Sequence, residues 1–120
     1  MISYGKQFID DDDIESVLKA LKKPFLTQGP LSTEFESKLK NYFNAKHCCV
    51  VSSGTAALHL SIIALDCKED DIILTTPMSF LATANCIIYG GAVPDFVDID
   101  KNTHTIDPNL VEEKIKFYQQ

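Results

Sequence analysis

No apolar run in this chain of 120 residues is long enough to span a bilayer, and the N-terminus lacks a signal-peptide pattern. Basic excess is also absent. Eleven Lys and Arg against 17 Asp and Glu leave a formal net charge of −6 and a pI near 4.9, which argues against nucleic acid or an anionic membrane as the main partner. There is no C-x-x-C, and His47, His59 and His104 show no ligand spacing relative to Cys48, Cys49, Cys67 and Cys86. Zinc and disulfides are thereby disfavoured, and buried free thiols are expected instead. His59 reads as a packing residue, His47 and His104 as solvated. The G-x-G-x-x-G and G-x-x-x-x-G-K-[ST] spacings are missing, which removes the dinucleotide and P-loop readings. Neither an internal repeat nor a low-complexity linker is found. The remaining class is a soluble, cytoplasmic protein of ordinary globular composition, large enough for one small domain but not for a two-domain enzyme.

What is present is organised around Ser52-Ser53-Gly54-Thr55-Ala56-Ala57-Leu58. An apolar run of strand length, Cys48 to Val51, precedes it, and Leu58 to Leu65 follows. This order reads as strand, tight turn and helix N-terminus. The first turn of a helix leaves N–H groups unpaired and carries the positive end of the helix dipole, so the junction suits an anion. Gly54 lets a ligand approach the backbone, and the Ser53 and Thr55 hydroxyls add donors for phosphate oxygens. The same residues also read as a plain Ser/Thr N-cap on a buried helix, and the sequence leaves both readings open.

Taken in order, the acidic run Asp10 to Asp13 opens a helix in which Ile14, Val17, Leu18 and Leu21 recur at helical spacing, and Pro24 ends it. Phe25 to Pro30 is a turn-forming loop. Thr33 and Glu36 form a capping box for a second helix with Phe35, Leu39, Tyr42 and Phe43 as its buried stripe. The helix from about Ala56 to Leu65 is apolar on most sides and calls for cover by other protein. Ile72 to Thr75 reads as a parallel-type strand, and a helix runs from Met78 to Tyr89 with Gly90-Gly91 as its stop. Val93 to Ile99 is a third strand, with Pro94 tolerable at an edge. Asp107-Pro108 caps a final amphipathic helix, Leu110 to Tyr118. The fold class is therefore α/β with three strands of a mostly parallel sheet. Residues 1–46 form an N-terminal helical segment and residues 47–120 a βαβαβα unit, with ligands expected at strand carboxyl ends. Phe80 lies just past such an end, where an aromatic side chain serves either as core or as a plate beneath a ring.

Tyr4, Leu26-Thr27-Gln28-Gly29-Pro30, Phe35-Glu36, the Ser52 to Leu58 stretch and Thr75-Thr76-Pro77-Met78-Ser79-Phe80-Leu81-Ala82-Thr83-Ala84-Asn85 together resemble the N-terminal part of the DegT/DnrJ/EryC1/StrS sugar-nucleotide aminotransferases. Within that family, the opening to Ile14 and Leu74-Thr75-Thr76-Pro77 look most like the pseudaminic-acid branch. The resemblance implies a fold-type I, aspartate-aminotransferase-like large domain and pyridoxal 5'-phosphate (PLP) as cofactor. It also implies amino transfer from glutamate to C4 of a UDP-linked 4-keto-6-deoxy sugar, in a homodimer. Ser53, Gly54 and Thr55 would hold the cofactor phosphate, and Phe80 would stack on the pyridine ring. Thr27, Gln28, Gly29 and Tyr4 would line the sugar-nucleotide pocket. Asn85 fits the pattern and reads first as helix packing.

The resemblance also defines a gap. Pyridoxal chemistry needs a Schiff-base lysine and a carboxylate at the pyridine nitrogen. In the family both lie downstream of the last segment matched, and Lys101, Lys114 and Lys116, in a loop and an amphipathic helix, do not match the catalytic lysine. The expectation is an N-terminal enzyme fragment with no catalytic residue of its own and no turnover alone. A non-catalytic α/β module binding a phosphorylated ligand or a partner chain is the other class kept open.

Overall fold

The computed structural model describes residues 5–120, which divide into two compact units, one ending at Val50 and the other running from Val51 to Gln120. The first unit is helical. Helix α1 spans Asp11–Leu21. Asp10 caps it: its carboxylate accepts from Asp13 N–H at 3.0 Å, and Asp13 returns the bond to Asp10 N–H at 3.2 Å. The acidic run is thus the capped helix start that the dipole argument anticipates. Helix α2 spans Pro30–Tyr42, with Gly29 as N-cap and Pro30 in the first turn. Thr33 and Glu36 therefore lie one turn inside the helix and do not form its capping box. Proline at the first helical position needs no N–H partner and presets φ, so the helix starts four residues earlier. Glu36 instead accepts the N–H of Val50 at 2.9 Å and ties the returning chain to α2.

The second unit holds helix α3 (Gly54–Ala64), strand β1 (Ile72–Thr75), helix α4 (Ala82–Tyr89), strand β2 (Val93–Phe96) and helix α5 (Pro108–Tyr118). β1 and β2 pair in parallel, Ile72 with Val93 through Thr75 with Phe96. Val93 N–H to Asp71 C=O and Val97 N–H to Thr75 C=O, at 2.9 and 2.8 Å, extend the ladder. Ile62 of α3 packs with Cys86 and Ile87 of α4 and with Ala92 to make the core, and Ile87 is 2% exposed. Ile62 also lies against Gly90 at the end of α4, and His59 of α3 meets Tyr89 edge-on at 5.6 Å. The C-terminal half of α3 thus packs against the C-terminal turn of α4.

Several expectations are corrected. Cys48 to Val51 is not a strand of the sheet, so two strands form instead of three. A strand exists by pairing, and no described segment pairs with this one. The last strand stops at Phe96; Ile99 makes only an antiparallel bridge to Ile106. Residues 77–81 bend before α4 instead of joining it. Phe35, Tyr42 and Phe43 are exposed and only Leu39 of the α2 stripe is half-buried, so the stripe is apolar but largely uncovered; Leu58, Leu60 and Ile63 of α3 are exposed as well. The cysteines are free as expected, yet only Cys86 is buried, and Cys49 is exposed.

Two predictions follow from packing and from charge. Gly90 has ordinary helical φ and ψ, but a Cβ there would overlap Ile62 Cγ2, which branches directly from the backbone-proximal carbon and cannot swing away. Gly90→Ala should therefore destabilise despite alanine's better helix propensity. In Ile62→Ala the same change should cost little, giving a coupling of about 1–3 kcal/mol in urea unfolding. Additive losses would contradict this.

Asp95 of β2 accepts from Lys114 Nζ at 2.8 Å and from Tyr118 Oη at 2.6 Å, both on α5. Lys114, Tyr118 and the Phe96 N–H pull its carboxyl down to about 2. A folded-state value below the unfolded one means that the stabilisation is complete above about pH 4 and is lost as pH falls through about 2. Asp95→Asn should flatten the acid limb of the thermal midpoint in that window. The difference from wild type should shrink with added salt, because the pair is a quarter to a third exposed.

Candidate functional site

The first turn of α3 presents the donors that the sequence points to. Ser53 is extended and caps the helix: its Oγ accepts from Ala56 N–H at 3.1 Å, and its carbonyl accepts from Ala57 N–H at 3.1 Å. The cap consumes a lone pair of Ser53 Oγ and leaves the hydroxyl hydrogen free to donate. The N–H groups of Gly54 and Thr55 meet no acceptor among the described residues. No acidic side chain lies in this turn. A Cβ at Gly54 would find no atom within 4 Å, and the residue's φ is not left-handed. Neither backbone conformation nor packing thus requires glycine at position 54. Its effect is to leave open space beside two unpaired donors, and a phosphate fits that donor set. The N-cap and the anion cradle are compatible uses of one turn.

Phe80 stands on the bend between β1 and α4, with 78% of its surface exposed. It lines an apolar cleft of about 290 Å³ with Thr76, Pro77, Leu81, Thr83 and Phe96. Ser79 and Thr83 hydroxyls share a hydrogen bond of 2.8 Å, and Thr83 N–H donates to the Phe80 carbonyl at 2.9 Å, so the bend is held locally while the ring stays uncovered. Phe80 is therefore not part of the core formed by the described residues. Ser53, Gly54 and Thr55 do not line the same cleft. Asn85 is half-buried on α4, in keeping with helix packing.

The remaining candidate residues belong to the first unit. Thr27 and Gln28 are exposed in the α1–α2 loop, and Gln28 adopts a left-handed φ of 51° that costs a non-glycine residue about 1 kcal/mol. Gly29 has a packing reason of its own, since a Cβ there would come within 3.0 Å of the Phe25 carbonyl. Tyr4 lies outside the described residues. Sequence reasoning missed the Asp95–Lys114–Tyr118 network. The available signal was the four-residue spacing of Lys114 and Tyr118 on one face of an amphipathic helix following an acidic strand residue. Among the described residues no helix is long and apolar enough to cross a membrane, and no cluster of His, Cys, Asp or Glu could hold a metal ion.

Comparison with known proteins extends this geometry. The chain is 47% identical over 115 residues to UDP-4-amino-4,6-dideoxy-N-acetyl-beta-L-altrosamine transaminase of Campylobacter jejuni strain 81-176, covering 96% of this chain and 30% of that protein. It is 38% identical to the spore coat polysaccharide biosynthesis protein SpsC of Bacillus subtilis, covering 95% of this chain and 29% of that one. The chain thus spans about 30% of the length of the curated relatives it matches. Among solved structures, Spr1654 of Streptococcus pneumoniae in its PLP form superposes with a TM-score of 0.85 at 29% identity, over 93% of this chain and 29% of that one. NtdA of Bacillus subtilis with bound PMP gives 0.79 at 34% identity, over 88% and 25%. The two-stranded α/β unit and its helices therefore match part of a fold-type I aminotransferase architecture. Residues 7–119 match the DegT/DnrJ/EryC1/StrS aminotransferase family, and the chain belongs to that family.

Proposed function

We propose that this chain supplies the cofactor-phosphate cradle and part of the sugar-nucleotide pocket of a PLP-dependent aminotransferase. The proposed reaction moves the amino group of glutamate to C4 of a UDP-4-keto-6-deoxy-N-acetylhexosamine, in a homodimeric enzyme. The observation that carries the reading is the pair of unpaired N–H groups at Gly54 and Thr55 beside the open space at Gly54. The Campylobacter transaminase, at 47% identity, supports the choice of sugar.

In this reading the Gly54 and Thr55 N–H groups and the Ser53 hydroxyl donate to the cofactor's phosphate oxygens. The dipole of α3 adds about 0.3–1 kcal/mol for each exposed negative charge. Phe80 lies flat against the pyridine ring, which its exposure permits without rearranging the core. Thr27, Gln28 and Gly29, with Tyr4, face the nucleotide sugar. PLP, when bound, supplies the electron sink for amino transfer.

The chain alone binds without turning over, because its late lysines are otherwise placed. Lys114 pairs with Asp95, Lys116 pairs with Glu112 at 2.6 Å, and Lys101 lies in an exposed turn. That placement also favours the second reading, a non-catalytic module for a phosphorylated ligand.

Borohydride reduction of the purified chain with PLP should give no stoichiometric label at a single lysine; one such label would overturn the inactive-chain reading. In a full-length enzyme containing this segment, Gly54→Val should weaken PLP retention by about tenfold or more, equivalent to about 1.4 kcal/mol. Asn85→Ala should change it far less. Equal losses in the two variants would remove Gly54 from the cradle.

A further inference from the structure

A second cationic feature lies in the first unit and uses none of the cradle residues. Thr33, Glu36, Ser37 and Lys40 fall on one face of α2, and they line a groove of about 180 Å³ with Lys46, His47 and Cys48. Local chain geometry builds it. Asn44 turns back with a left-handed φ of 50°, Ala45 N–H donates to the Lys40 carbonyl at 2.9 Å, and Glu36 clamps Val50 N–H. The segment from Lys46 to Cys48 is thereby laid along the helix.

The charges in the groove are unspent. Three Glu–Lys pairs at the four-residue helical spacing close elsewhere: Glu15–Lys19, Glu34–Lys38 and Glu112–Lys116, at 2.9, 2.8 and 2.6 Å. Glu36 and Lys40 have that spacing too, but Glu36 is drawn to Val50, and the pair does not form. Among the described residues no carboxylate lies within 4.0 Å of Lys40 or Lys46 Nζ. Two ammonium groups, an imidazole and two hydroxyls thus line one small polar space in a chain of net charge −6. We propose that this groove binds a small phosphate-bearing anion.

The donor set exceeds what a carboxylate uses, whereas a phosphate offers acceptor oxygens in several directions. The volume lies below the about 300–1,000 Å³ of drug-sized sites, so it suits a free phosphate or a terminal phosphoryl group and excludes a whole nucleotide. Glu36 is the opposing charge in the groove, and its Oε1 is already occupied by Val50 N–H.

The test is amide chemical-shift titration of the full ¹⁵N-labelled chain with inorganic phosphate, at constant ionic strength against chloride. Saturable shifts are expected at Lys46, His47 and Cys48 and along one face of α2. Lys40→Gln combined with Lys46→Gln should weaken binding by about tenfold or more, with Lys38→Gln within about twofold of wild type. Succinate in place of phosphate should bind more weakly. Shifts that stay linear and spread over all lysines would overturn the proposal, as would equal losses in the Lys38 variant. Tighter binding of succinate would overturn the phosphate assignment. If circular dichroism shows that the double variant has lost helix, the wild-type titration decides by whether its shifts saturate and where they map. The outcome is independent of whether Gly54 holds a cofactor.

Discussion

The contact of Ile62 with Cys86, Ile87 and Gly90 sets the geometry of the second unit. It joins the C-terminal half of α3 to the C-terminal turn of α4. A glycine at the end of α4 permits the approach, and the buried Ile87 secures α4 over the β1–β2 pair. The turn that carries the free donors of Gly54 and Thr55 and the bend that carries Phe80 lead into the two helices this contact joins. The core is small. Burial stabilises by about 25 cal/mol per Å² of apolar surface, and few residues here are fully removed from water. Polar devices do much of the remaining positioning: the Glu36 clamp on Val50 and the Asp95 junction with α5.

Exposed aliphatics on α3 and the largely uncovered stripe of α2 follow from the same economy. An apolar helix is stable when other protein covers it, and the described residues cover only one side of α3. The match to about 30% of the length of its relatives is consistent with this, since a sheet of two strands offers little surface for helices to bury against. Cys48 to Val51 shows the effect most plainly. Its composition suits a strand, yet it remains outside the sheet, with no described segment pairing with it.

Local signals were legible wherever the physics is local. The Asp10 cap, the Ser53 cap, the Asp107-Pro108 start of α5 and the two paired strands are written in residues at most four apart along the chain, where side chain and backbone meet without help from the fold. The start of α2 was misread because two start signals compete, and proline at the first position prevails over a Thr–Glu pair one turn later. For the candidate site, the Gly54 turn and Phe80 were legible as types of residue at strand and helix ends. That Phe80 is exposed, and that glycine at position 54 answers to neither strain nor packing, could be learned only from coordinates.

The sequence by itself therefore determined the helices, their caps, the family resemblance and the presence of an anion-suited turn, because each depends on neighbours along the chain. Tertiary structure alone decided that the first apolar run finds no partner, that Glu36 abandons Lys40 for Val50, and that Asp95 gathers Lys114 and Tyr118. Those outcomes depend on which groups meet across 14 to 23 residues of chain, and a carboxylate binds whichever donor the fold brings within about 3 Å.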